Sequence, residues 1–374
     1  MIDIKKVPKT ANSLLLVHLG RIVRNYRYLT KKLAPAECSA TLKANAYGLG
    51  AVKVGQALKK AGCSTFFLAT IDEAIELREA IRNQKTKIAV LNGVPRNTEH
   101  IFHRYNLIPV LNDLDQLNRW HDSNLKKNIR YPSTLHVDTG MNRLGLSLRD
   151  YKSAIESPTV LHGAHICLIM SHLACSDEPD HENNTQQLEQ FKALSKLLPN
   201  IKLSLANSGG IFLGTDFHFD MARPGIALYG SLPGHEEINP LRHSVDLYGR
   251  ILQVRQAEAG SAVGYGGTHK LKKNSRIAVV GTGYADGYQR SFSSASYVFF
   301  EGFRLPVIGR VSMDTITVNI SDVPESTITP GDFVEIIGDK FTVDDAAVVA
   351  GTVPHELFTG LGKRHSRIYG CATS

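Results

Sequence analysis

Through the first two-thirds of the chain, short apolar runs rich in β-branched residues alternate with longer stretches in which apolar residues return every three or four positions. The runs predict strands over 40–43, 65–69, 87–91, 107–111, 134–137, 166–171, 202–205 and 219–222. The longer stretches, among them 54–61, 71–81, 113–123 and 186–197, predict amphipathic helices. Strand and helix in strict alternation imply parallel strands joined by right-handed crossovers. About eight such units in about 200 residues fit a closed (β/α)8, TIM-like barrel better than an open doubly wound sheet. Beyond residue 240 the helical period fades. Runs at 247–256, 276–280, 295–300, 303–307, 315–320 and 333–337, separated by Gly and Pro turns, predict a second, C-terminal all-β domain. The reading divides the chain into an N-terminal segment (1–12), a barrel (13–240) and a β-domain (241–374), crossing near 240–244. The strand at 13–18 precedes the first barrel helix and could pair with the later domain.

Composition narrows this picture. At 374 residues, 43% hydrophobic and 21% charged, the chain suits a soluble enzyme of two domains. No apolar run approaches the roughly 20 residues of a membrane-spanning helix, so no membrane association is expected. The opening residues Met1-Ile-Asp-Ile-Lys-Lys6 lack the apolar stretch of a secretory signal. The five cysteines (Cys38, Cys63, Cys167, Cys175 and Cys371) form no C-x-x-C pair and read as reduced packing residues, in keeping with a cytoplasmic location. The net charge of +8 is spread over isolated lysine pairs without interleaved aromatics, which argues against a nucleic-acid surface. His162, His165 and His172 lack a carboxylate or cysteine at a spacing that would complete a tetrahedral set, so no metal is expected.

Chemistry in a (β/α) barrel gathers where strands end at their carboxyl termini. The first strand ends at Lys43, where burial would disfavour the ammonium and free the amine as nucleophile and base. Arg143 follows the fifth strand and His172 the sixth. Asn207-Ser208-Gly209-Gly210 follows the seventh, and Met221-Ala-Arg223-Pro-Gly225-Ile226 the eighth. Hydroxyl and glycine-rich backbone at the last two positions suit a phosphate. A phosphate cup, a strand-end lysine, an imidazole and arginines together suggest pyridoxal 5′-phosphate held as a Schiff base.

The segment Lys43-Ala-Asn-Ala-Tyr47-Gly-Leu-Gly50 resembles the cofactor-binding signature of the alanine racemases, bacterial fold-type III pyridoxal phosphate enzymes. Further matches are Asp138-Thr-Gly-Met-Asn-Arg143, His172, Ala206-Asn-Ser208, Ala222-Arg-Pro-Gly225, Val263-Gly-Tyr265-Gly, Gly283-Tyr284-Ala-Asp-Gly287 and Gly309-Arg-Val-Ser-Met313-Asp314. The resemblance implies interconversion of L- and D-alanine, which supplies D-alanine for peptidoglycan. It gives Lys43 as the base on one face of the substrate Cα and Tyr265 as the base on the other, with His172 tuning Tyr265. It places Arg223 on the pyridine nitrogen; as a group that does not accept a proton, it would weaken the electron sink. Arg143 would hold the phenolic oxygen and the substrate carboxylate, the latter shared with the Met313 amide. Tyr47, Asn207, Ser208, Gly225 and Ile226 fall to cofactor binding, and Tyr284 to the entrance. A head-to-tail homodimer with shared sites is likewise implied.

Two departures stand out. His136 occupies the position where many members carry a carbamylated lysine that orients the arginine. An imidazole forms no carbamate, so His136, a water or a small anion such as chloride is expected to orient Arg143. The phosphate-binding tyrosine of some members has no secure match in 362–369, where Lys363 is the nearest substitute. Three rival readings share the lysine and the barrel: a racemase of broader specificity, a fold-type III decarboxylase, and a non-enzymatic cofactor carrier. A decarboxylase would need an acid after a C-terminal cysteine, which Cys371 lacks, and a carrier would lack the β-domain.

Overall fold

The computed structural model describes residues 7–232, 234 and 239–370; residues 1–6 of the expected N-terminal segment, and Cys371, lie outside the described residues. The chain forms two compact units. One is Ile22–Arg242; the other joins the residues up to Arg21 with those from His243 onward.

In the first unit, seven parallel strands pair in sequence order: Ala40–Thr41, Thr65–Leu68, Lys87–Val90, Ile108–Leu111, Ser133–His136, Ile166–Met170 and Lys202–Ser204. An eighth, Met221–Ala222, closes the ring. It pairs in parallel with Glu37–Cys38 on one side. On the other, Asp220 N–H donates to Leu203 O and Arg223 N–H to Ala206 O. The interior is filled by Phe67, Ala89, Val110, Leu168, Met170 and Met221, drawn from five of the strands. That layer of apolar side chains makes the barrel a packed core rather than a pore. The crossover helices follow from local signals. Ile71–Ile81 opens on a capping box between Thr70 and Glu73, and Leu114–Lys127 on Asp113, whose carboxylate accepts from Gln116 N–H. All the segments read as barrel strands form strands, most of them shorter than expected by one or two residues.

The second unit is built on the long strand Val245–Ala257. It pairs antiparallel with Ser13–His18, Ser275–Val280 and Phe333–Ile337. Ser366–Gly370 adds in parallel on the far side of Ser13–His18, so this strand belongs to the β-rich sheet. The hairpin Tyr297–Phe300 to Phe303–Pro306 turns through Glu301 and Gly302, both at positive φ, as a two-residue hairpin turn requires. The unit also carries two helices that the sequence reading passed over, Val343–Ala350 and Pro354–Gly360. At eight and seven residues they span about two turns each, too short for a 3.6-residue period to stand out.

Candidate active site

The backbone after the first barrel strand departs from any regular element. Ala44, Asn45, Ala46 and Tyr47 have φ of 52°, 55°, 53° and 56°, a left-handed turn built without glycine. A non-glycine residue pays about 1–2 kcal/mol for that conformation. The turn is held by Ala46 N–H to Leu42 O at 2.8 Å, Gly48 N–H to Ala44 O at 2.8 Å and Gly50 N–H to Asn45 O at 2.9 Å. The Asn45 carboxamide adds a bond from Ala51 N–H at 2.8 Å. Lys43 sits at its root, half-buried. Burial, and next the positive charge of Arg143, push its amine below the usual lysine range, partly opposed by Glu73.

The last two strand ends form a small, glycine-lined cup. Ser208 Oγ accepts from Gly225 N–H at 2.9 Å and Ala227 N–H at 3.2 Å, tying both loops together. The Tyr47 ring packs on Tyr229 with centroids 5.0 Å apart. A Cβ on Gly225 would fall 2.1 Å from Tyr47 Oη, so only glycine lets the phenol approach this backbone. Ile226 opens the 3-10 turn that follows. Asn207 lies at the same rim but its side chain braces loops: Oδ1 accepts from Ser176 Oγ at 2.8 Å and Gly210 N–H at 3.0 Å.

The buried Arg223 and the half-buried His172 form a pair beside the cup. Arg223 donates to Ser204 Oγ, to the carbonyls of Ser171 and Leu205, and to His172 Nδ1 at 3.4 Å. Burial lowers this guanidinium to about 9, still charged at neutral pH. Because a guanidinium only donates, His172 Nδ1 is the acceptor and the ring proton lies on Nε2. Burial first, then Arg223, Arg143, Lys43 and His136, holds the His172 imidazole well below its usual range, so the ring is neutral. Its loop is braced by Gln187, which donates to His172 O at 2.9 Å and to Thr139 Oγ1 at 3.2 Å. Arg143 lies exposed on the loop after the fifth strand. That loop is folded by the Asp138 carboxylate, which accepts from the amides of Gly140, Met141 and Asn142.

In the β-rich unit three further candidates converge on neighbouring turns. Tyr284 N–H donates to Ser312 O at 3.1 Å, and Ala285 N–H to Met313 O at 3.0 Å. Arg364 joins the same turns, with Nε to Asp286 at 3.0 Å and Nη1 to Asp314 at 2.6 Å. The Tyr265 turn abuts this loop: a Cβ on Gly266 would lie 2.9 Å from Arg310 Nη1, and one on Gly309 would lie 2.6 Å from Val263 O. Tyr265, Met313 and Tyr284 are exposed by 70%, 52% and 43%. Among the described residues no group of three His, Cys, Asp or Glu side chains could hold a metal, and no helix is long and apolar enough to cross a membrane.

Two family models match in tandem, the alanine racemase N-terminal domain over residues 17–233 and the C-terminal domain over residues 244–369. The alanine racemase of Rhodospirillum rubrum is 44% identical over 361 residues, covering 96% of both chains. The chain belongs to the alanine racemase family. Among solved structures, the alanine racemase of Bartonella henselae with covalently bound pyridoxal phosphate superposes with a TM-score of 0.92 at 43% identity, covering 96% of this chain and 99% of that one. The enzyme from D-cycloserine-producing Streptomyces lavendulae gives 0.91 at 27% identity.

Within this alanine racemase-family chain the structure adds residues that the sequence reading missed. Asn112 follows the fourth barrel strand and bonds to His136; extending the strand-end rule to every strand would have found it. Tyr229 carries no signal beyond an apolar run, because only the fold brings it against Tyr47. Arg364 lies in the 362–369 segment, whose motif gave no match, and nothing in its immediate sequence connects it to Asp286 or Asp314.

Proposed function

We propose that the protein is a pyridoxal phosphate-dependent alanine racemase that transfers protons on the two faces of the substrate Cα. The observation that carries the reading is a lysine amine weakened by burial at the mouth of a barrel, beside a glycine-lined cup and a hydrogen-bonded arginine–imidazole pair. The donor set fits the cofactor. Tyr47, Ser208, Gly225 and Ile226 would hold its phosphate with Asn207 bracing their loops, Arg223 would face the pyridine nitrogen, Arg143 the phenolic oxygen, and Lys43 would be its covalent anchor. The missing Cβ of Gly225 lets the Tyr47 phenol close on the backbone of the cup. When bound, the cofactor supplies an electron sink that acidifies the substrate's α-proton.

The chain's own residues then divide the work. Lys43 moves a proton at one face, and its lowered affinity for protons suits a group that must be free amine half of the time. Tyr265 moves a proton at the opposite face. Its phenol needs a donor to stabilise the phenolate, and the Nε2–H of neutral His172 supplies one. Arg143 and the Met313 amide hold the substrate carboxylate, and His136 steadies Arg143. Arg223 holds the pyridine side without offering a transferable proton.

Tyr265, Met313 and Tyr284 act on the barrel of a second copy of the chain in a head-to-tail homodimer; their exposure on one edge of the β-rich unit supports this assembly. The barrel domain is taken as 13–240 and the β-domain as 241–374, and the product serves peptidoglycan synthesis in the cytoplasm. A racemisation assay over the common L-amino acids with added pyridoxal phosphate tests the reading. A yellow protein is expected that interconverts L- and D-alanine without releasing CO2. Colour with no turnover, or CO2 release, would overturn it.

A further inference from the structure

His136 is the last residue of the fifth barrel strand, buried to 7% exposure, and its ring touches the first residue after the fourth. That residue, Asn112, is itself 5% exposed. Its Nδ2 donates to Leu91 O and to Val110 O, both at 3.0 Å. Two carbonyls can only accept, so the amide nitrogen must lie on their side and Oδ1 must face His136. Oδ1 meets His136 Nδ1 at 2.8 Å. A carbonyl oxygen cannot donate, so the ring proton sits on Nδ1 and the lone pair on Nε2.

The opposite edge of the ring faces the loop that carries Arg143. Leu146 N–H donates to His136 O at 2.8 Å. A Cβ on Gly145 would lie 3.2 Å from His136 Cδ2, the carbon bonded to Nε2. We propose that Asn112 is a positioning residue: it fixes His136 in the tautomer whose Nε2 offers a lone pair toward the Arg143 guanidinium. The inference rests on the racemase reading only in assigning Arg143 to the substrate carboxylate. The chemistry is specific. The other tautomer would point an N–H at a guanidinium, donor against donor, and an imidazolium would add charge repulsion. The charged groups around the ring are Arg223, Arg143 and Asp138, with burial and both arginines favouring the neutral form. The carboxamide therefore decides only which nitrogen holds the proton, and no titration is needed.

Nitrogen NMR of the imidazole rings in the cofactor-free protein, assigned by the His136→Gln variant, tests the tautomer directly. The wild type is expected to hold the His136 proton on Nδ1. Asn112→Leu, of similar size without the acceptor, is expected to move population to Nε2–H and to raise KM for L-alanine about tenfold, with kcat within about threefold. Asn112→Asp still accepts from Nδ1, so the ring proton should stay on Nδ1, while KM is not expected to return fully because its second oxygen cannot donate to the carbonyls of Leu91 and Val110. A wild-type ring protonated on Nε2 would overturn the proposal, as would an Asn112→Leu protein with unchanged tautomer and KM. So would an Asn112→Asp ring protonated on Nε2. Should Asn112→Leu fail to fold, the wild-type and Asn112→Asp spectra still decide. The ring spectrum is read whether or not alanine is the substrate, so failure of the racemase reading leaves a separate trace.

Discussion

On the barrel rim, Arg223 is 4% exposed, His136 7% and Lys43 half-buried, whereas in the β-rich unit Tyr265 is 70% exposed and Met313 52%. Apart from Arg143, which lies exposed on its loop, the two sets of candidate residues stand in opposite relations to water though they belong to one proposed reaction. Burial has already acted on the first set: the Lys43 amine is lowered, and His136 and His172 are held neutral. The second set sits on rigid turns, bound by backbone hydrogen bonds and by Arg364, yet its side chains face solvent. Local geometry can therefore be prepared within a single chain, while covering the exposed side chains is left, on the reading proposed above, to a second copy. On that reading the site is split between a buried half and a positioned, exposed half.

The comparison breaks most sharply at Lys43. On the proposed roles, Lys43→Ala would remove the covalent anchor and one base together, and activity should fall by more than about 10⁴-fold with loss of the yellow cofactor colour. A protein that keeps both would move the chemistry off the barrel rim. Tyr265→Phe should cost about 10²- to 10⁴-fold, because it removes one acid–base group while sparing cofactor binding. The loss should be greater for proton abstraction from the L-enantiomer. Equal losses and equal primary deuterium isotope effects in both directions would remove the phenol from its role and leave the exposed half as mere cover. Gly225→Ala probes the prepared half: its Cβ would enter the space of Tyr47 Oη, at about 1–3 kcal/mol of strain. Weaker binding of pyridoxal phosphate by the apoprotein, measured by absorbance titration, is expected. Unchanged affinity would take Tyr47 and Gly225 out of the phosphate cup.

Much of this was legible in the residues. Alternating strand and helix signals located the eight barrel strands, because each is a short buried run with turn residues beside it. The strand-end rule then brought Lys43, Arg143, His172, Ser208 and Arg223 to one rim. What stayed hidden was geometry that no period encodes. The left-handed course of Ala44–Tyr47 uses, apart from Asn45, residues with no preference for it and is imposed by the hydrogen bonds around it. The contacts of Asn112 with His136 and of Arg364 with Asp286 and Asp314 join elements far apart in sequence. Helices as short as Val343–Ala350 leave only their Thr342 cap as a signal.

The remaining expected effect concerns His136, and it tests whether burial is what prepares the barrel rim. Its imidazole is lowered from 6.5 to about 3, with burial the largest cause and the arginines next. The native ring thus binds a proton less readily than the unfolded one. Above about pH 6.5 both states are neutral and the contribution to stability is fully present. As pH falls from there toward about 3, the unfolded chain takes up a proton that the native chain refuses. Stability is lost through that window with a slope approaching about 1.4 kcal/mol per pH unit for this one group. Denaturant unfolding of wild type and His136→Gln at a series of pH values isolates the term, since the other buried histidines contribute equally to both proteins. The variant should lose stability less steeply on acidification, and the difference should vanish above about pH 7 apart from a constant offset. Parallel curves would mean that the ring titrates alike in both states. Burial would then not be what keeps this half of the site neutral, and the contrast with the exposed half would lose its physical basis.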